Sequence, residues 1–143
     1  MILCDVNVLV YAHRQDVPDH VRYKAWLVAT LQGPQAYGVS DLVLSGFIRI
    51  VTHARVFKDP SSLTDALAFA EQVRTQPSAV PVTPGERHWR IFMDLCRQTQ
   101  ARGNLVSDAY FAALAIESGC EWVTTDLDYS RFPDLRWRHP LQS

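Results

Sequence analysis

Residues 108–126 read DAYFAALAIESGCEWVTTD. Ala109, Ala112, Ala113 and Ile116 fall at helical spacing and form one nearly bare face, so this helix can pack close against a sheet. Gly119 stands where a helix stops, at the position after its cap. The next residues, 121–125, read as a strand ending at Asp126. At the other end of the chain, Met1 to Cys4 is a short apolar run that also ends in an acid, Asp5. Two strands closed by an aspartate, one preceded by a helix that itself opens on Asp108, set the frame for everything between them.

Filling in the middle, the spacing predicts helices over 7–12, 19–31, 41–52, 63–74 and 86–100, with strands over 36–39 and 79–82 and an edge strand over 136–138. Ser40 and Pro60-Ser61-Ser62 are helix-start signals, and Gly33-Pro34 and Gly103-Asn104 are breaks. Strands alternating with helices predict an α/β protein: a three-layer α/β/α single domain over residues 1–143, around a mostly parallel sheet of four or five strands. No repeat, low-complexity tract or linker divides it.

The composition suits one globular domain: 143 residues, 48% hydrophobic and 20% charged. Cys4, Cys96 and Cys120 are an odd number without CxxC spacing, which reads as buried thiols in a reducing compartment. No apolar run is long enough for a membrane span, and the N-terminus lacks the basic region of a signal peptide, so a cytoplasmic protein is expected. The net charge of −1 does not advertise a nucleic-acid binder. The cations are arginines apart from Lys24 and Lys58, which fits either phosphate recognition or simple codon bias. Trp26, Trp89 and Trp122 read as core or interface anchors.

In open parallel sheets ligands bind beyond the carboxyl ends of the strands, where Asp5 and Asp126 are expected to meet. Asp108 and Asp41, each at a predicted helix start, either complement the helix dipole or point into the same crevice. Like charges gathered there must bind a cation or hold protons, since two of them ~4 Å apart repel by about 4 kcal/mol at an effective dielectric of 20. An all-oxygen donor set selects Mg²⁺ or Mn²⁺ over zinc, and His13, His20, His53, His88 and His139 show no zinc spacing.

At these residues the sequence resembles a PIN-domain ribonuclease, specifically a VapC-type toxin of a bacterial toxin–antitoxin pair. The resemblance is carried by MILCDVNVLVYAH at 1–13, VSDLVLSGFIRIVTHARVF at 39–57 and RGNLVSDAYFAALAIESGCEWVTTDLDYSRFPDLRWRHPL at 102–141, and it covers essentially the whole chain. It implies Asp5 and Asp108 as the principal metal ligands, with Asp126 completing the acidic pocket. Asn7 would orient the Asp5 side, or serve only as a helix cap, and Thr124 would offer a hydroxyl. Asp128 would reach the metal through water or cap the turn at Tyr129-Ser130. Many members carry a glutamate near the position of Gly46; here the first glutamate is Glu71, so Asp41 is the substitute expected for it.

The resemblance further implies a Mg²⁺-dependent endoribonuclease cutting structured RNA, tRNA or rRNA, to 3′-hydroxyl and 5′-phosphate ends. A VapB-type antitoxin would occlude the groove, and a homodimer is the usual unit. Arg49, Arg87 and Arg90 are candidate phosphate contacts or ordinary solvated helix residues. Among rivals, an aspartate phosphatase wants Asp-x-Asp where this chain has Asn7, and a receiver domain wants a lysine beyond Lys58. The alternative left is a catalytically inactive PIN-fold module that binds RNA or protein.

Overall fold

The computed structural model describes residues 1–142. Five short strands, β1 (Ile2–Cys4), β2 (Tyr37–Val39), β3 (Ala79–Pro81), β4 (Glu121–Val123) and β5 (Trp137–Arg138), form one sheet in the order β3-β2-β1-β4-β5. Every pairing is parallel, with Leu3 opposite Gly38 on one side and Trp122 on the other. The helices are α1 (Val6–His13), α2 (His20–Gln32), α3 (Asp41–Val51), α4 (Leu63–Arg74), α5 (His88–Thr99) and α6 (Asn104–Ser118).

The strand order reverses at β1. The chain winds outward through β2 and β3, then returns to lay β4 and β5 against the other side of β1. Because crossovers between parallel strands are right-handed, this reversal puts α1–α4 on one face of the sheet and α5–α6 on the other. The packing agrees: α1 lies against α2 and α3, α3 against α4, and α5 against α6. The expected three-layer α/β arrangement is what the chain adopts.

Leu3, Phe47, Val51, Trp122 and Tyr129 are among the fully buried side chains of the core. On α6, Ala109, Ala112, Ala113 and Ala115 are all sealed from solvent, and Phe111 stacks over Trp122 with ring centroids 5.5 Å apart. The small face therefore does what its spacing predicts and brings α6 close to β4. Gly119 takes φ +70° at the helix end, a conformation a side chain would strain.

Three expectations shift. Helix α6 starts at Asn104 rather than at Asp108, because the break is confined to Gly103, whose φ is +59°. Asp108 thus sits in the second turn. Trp89 is 61% exposed and anchors nothing in the core. The turn expected at Tyr129-Ser130 is a 3-10 turn over Leu127–Arg131 after β4, and its cap is Asp126 rather than Asp128: the Asp126 carboxylate accepts from the Asp128 N–H at 2.9 Å.

Candidate active site

Asp5 stands between β1 and α1, beside the topological switch. Its backbone N–H still bonds to Val123 O across the β1–β4 seam at 2.9 Å. Its side chain caps α1, Oδ1 accepting from the Val6 N–H at 2.7 Å, while Oδ2 accepts from the Thr124 hydroxyl at 2.7 Å and the Asn7 amide at 3.1 Å. Asn7 ties the two strand ends together: its amide also donates to Thr124 Oγ1 at 3.3 Å, and its carbonyl accepts from the Thr125 N–H at 3.2 Å. Thr124 Oγ1 further accepts from the Asp126 N–H at 3.0 Å. Asn7 and Thr124 thus hold Asp5 and the Asp126 backbone in one network.

Asp108 reaches the same place from α6. Tyr129, buried in the 3-10 turn, donates its hydroxyl to Asp108 Oδ1 at 3.3 Å. Asp5, Asp108 and Asp126 all line one open cavity of about 380 Å³, with Asn7, Tyr129 and Arg49 around them. Its apolar wall is Val10, Tyr11, Ile50, Val56 and Phe57. Phe57 is itself fixed from behind, the Arg14 guanidinium lying 4.2 Å from its ring centre.

The acids sense their confinement. Burial pushes the Asp5 carboxyl up to about 6, the nearby charges of Asp108 and Asp126 push the same way, and the hydrogen bonds from Thr124 and Val6 oppose them. Asp108 is also raised, first by burial and then by the charge of Asp126, with the Tyr129 hydrogen bond opposing and Asp128 adding a further push. Burial lifts the Cys4 thiol to about 12, with Asp5 adding to it, so this neighbour stays a neutral thiol.

The donor set suits a hard cation, being carboxylates throughout, with the Thr124 hydroxyl and the Asn7 amide N–H donating to Asp5 from behind. Among the described residues, however, no three His, Cys, Asp or Glu side chains form a ready-made coordination cluster. Each acid is turned onto an internal donor instead: Asp5 onto Thr124, Asp108 onto Tyr129 and Asp126 onto the Asp128 N–H.

Not every residue singled out from the sequence comes to this cavity. Asp41 opens α3 but turns outward, its side chain 67% exposed and paired with Arg74 at 2.8 Å. That guanidinium holds the Asp41 carboxyl below the usual range. The expected substitution of Asp41 for a glutamate near position 46 is therefore not what the geometry offers. Gly46 itself packs against α1, and a Cβ there would meet Val6 Cγ2 at 3.0 Å. Asp128 is exposed and contributes its backbone N–H to Asp126 rather than its carboxylate to the cavity. Arg49 lines the cavity. Arg87 bonds to the Glu117 carbonyl at 3.3 Å, nine residues beyond Asp108 on α6 and so roughly 13 Å away along the helix. Arg90 is exposed on α5 and does not line the cavity.

Tyr129 is the contributor that sequence reading passed over. Its signal is a phenol three residues after the strand-end acid, in the turn expected at Tyr129-Ser130; that this turn buries the ring beside Asp108 is not legible in the spacing.

Residues 2–135 match the PIN domain family model. VapC ribonuclease Mb2897 of Mycobacterium bovis is 44% identical over 99% of this chain and 96% of its own length. Ribonuclease VapC25 of Mycobacterium tuberculosis is 40% identical over 98% and 99%. In fold, the chain superposes on VapBC2 from Rickettsia felis bound to a DNA fragment from their promoter, with a TM-score of 0.69 at 17% identity over 97% of this chain and 98% of that one. The chain belongs to the PIN-domain family. Within it, the sequence relatives set it among the VapC ribonucleases.

Proposed function

We propose that this chain is a divalent-metal-dependent endoribonuclease, the toxin of a VapBC-type pair, using Mg²⁺ with Mn²⁺ as a substitute. The observation that carries the reading is that Asp5, Asp108 and Asp126, from three separate segments, share one cavity in which two of them are held above the ordinary carboxylate range. The relatives named ribonuclease supply the reaction class.

In this reading Asp5, Asp108 and Asp126 hold the cation, and Asn7 and Thr124 keep Asp5 oriented. A bound Mg²⁺ supplies an acidified water near neutral pH and offsets charge on the phosphate. One of the carboxylates would accept the proton that this water loses.

The substrate class is structured RNA, a tRNA or rRNA loop. The cognate partner is a VapB-type antitoxin that covers the groove, and the working unit is a cytoplasmic homodimer of one domain over residues 1–143. Among the described residues no helix is long and apolar enough to cross a membrane. The test is incubation of antitoxin-free wild type, Asp5→Ala and Asp108→Ala with total bacterial RNA, with Mg²⁺, Mn²⁺ or EDTA, followed by mapping of the ends. Discrete metal-dependent cuts with 5′-phosphate ends, lost in both variants, are expected. A folded wild type that cuts no RNA with either ion favours the inactive binding module instead.

A further inference from the structure

Beside the acidic cavity lies a second cleft of about 280 Å³, and the two share Val6, Arg49 and Phe111 in their walls. Gly46 of α3 lines it beside Leu42 and Val6. Its remaining lining mixes the half-buried rings of Tyr110 and Phe111 with the hydroxyls of Ser45 and Ser107.

Arg49 stands where the clefts join. It is exposed, and among the described residues it forms no ion pair, although Asp5, Asp108 and Asp126 line the same cavity. Those acids take their hydrogen bonds from Thr124, Tyr129 and a backbone N–H, which leaves the guanidinium fork available to an incoming anion. Its volume, at the small end of ligand pockets of ~300 Å³ and upward, holds one unit of a chain rather than a helix.

We infer that this second cleft is a subsite for one unpaired nucleotide of the RNA, flanking the phosphate that enters the acidic cavity, with Arg49 gripping the phosphodiester between them. The inference rests on the ribonuclease reading and specifies how that site selects its substrate. Phosphate recognition by a planar bidentate fork, a base set against aromatic rings and a ribose within reach of hydroxyls are the elements by which single-stranded RNA is bound. A nucleotide that must leave its helix to fill the cleft predicts a preference for loops over duplex.

The test is fluorescence anisotropy with a short, fluorescein-labelled, single-stranded RNA of mixed sequence, titrated in EDTA across a range of KCl. Wild type is compared with Arg49→Ala, Arg49→Lys, Ser45→Leu and, as a distant control, Arg22→Ala, after melting curves have shown each to be folded. Arg49→Ala is expected to weaken binding about 10-fold and to reduce the log–log salt slope by about one. Arg49→Lys keeps the slope but recovers only part of the affinity. Ser45→Leu, which crowds the cleft without altering charge, weakens binding at unchanged slope, and Arg22→Ala behaves as wild type.

Wild-type binding that is absent, or unchanged in both Arg49→Ala and Ser45→Leu, overturns the subsite. Because the assay runs in EDTA, it is independent of cleavage. A wild type that binds as described but never cuts contradicts the nuclease reading alone, and one that cuts while the variants bind normally contradicts the subsite alone.

Discussion

The Thr124 hydroxyl donates to Asp5 Oδ2 at 2.7 Å across the seam between β4 and β1. The two residues are 119 positions apart in the chain, and this bond, with the Asn7 bridge beside it, locks together the strand ends on which two of the three acids stand. Thr124 is fully buried, and its oxygen also accepts from the Asp126 N–H.

Thr124→Val keeps the shape and removes the hydroxyl's bonds to Asp5, Asn7 and the Asp126 N–H, leaving the Asn7 bridge to the Thr125 N–H. It is expected to cost ~1–3 kcal/mol, because the Asp126 N–H and one Asn7 donor lose their partner in a buried place. Activity should fall about 10–100-fold, the usual consequence of losing a group that orients a ligand. Denaturant melts and cleavage rates on one RNA check both; unchanged activity would show that the orientation of Asp5 does not matter.

The raised Asp5 carboxyl makes the metal-free protein sensitive to pH in a definite direction. Its folded value of about 6 lies above that of the unfolded chain, so the folded state binds more protons in the interval between them. Stability is therefore greatest below about pH 4 for this group and falls as pH rises, by ~3 kcal/mol once pH passes the folded value. Asp108 adds in the same direction. In EDTA, Asp5→Asn should accordingly raise Tm at pH 7 by about 3–9 °C and have little effect near pH 4. A lower Tm at pH 7 would mean that the hydrogen bonds the carboxylate accepts from Val6, Thr124 and Asn7 outweigh the cost of burying its charge.

Tyr129→Phe removes the donor to Asp108 Oδ1 and leaves the packing against Trp122 and Phe132 in place. The hydrogen bond opposes the rise of the Asp108 carboxyl, so its loss moves the acidic limb of the pH–rate profile to higher pH. A drop in rate of about 10-fold at neutral pH with under ~1.5 kcal/mol lost in stability is expected. An unshifted limb would remove Tyr129 from the working site.

Asp41→Ala tests the residue that the fold turned away. Its pairing with Arg74 is exposed on both sides, so cleavage should stay within about twofold of wild type. A loss as deep as that of Asp108→Ala would bring Asp41 back into the chemistry.

What could be read from the sequence divides along the reach of each signal. Strand-end acids and the small-residue face of α6 are local patterns, and Asp5, Asp108 and Asp126 line one cavity. Asp41 carried the same local signal, an acid after the cap Ser40, but its direction depends on Arg74, 33 residues away. Tyr129 shows the converse: its turn is legible, but a 3-10 turn has no periodicity long enough to tell which side chain it buries. The start of α6 was missed because Gly103 alone makes the break, while Asn104 to Ser107 are ordinary helix residues in front of Asp108.

The claim at the centre of this account is that Asp5, Asp108 and Asp126 form one cation site at which RNA is cut. Its most direct test is Mn²⁺ binding followed by EPR, run beside RNA cleavage on the same samples of wild type, Asp5→Asn, Asp108→Asn and Asp126→Asn. The account predicts that wild type sequesters Mn²⁺, that Mg²⁺ competes for it, and that each substitution weakens binding and cleavage together. Cleavage that survives in folded variants no longer able to bind Mn²⁺, or Mn²⁺ bound equally well by all four proteins, would contradict it.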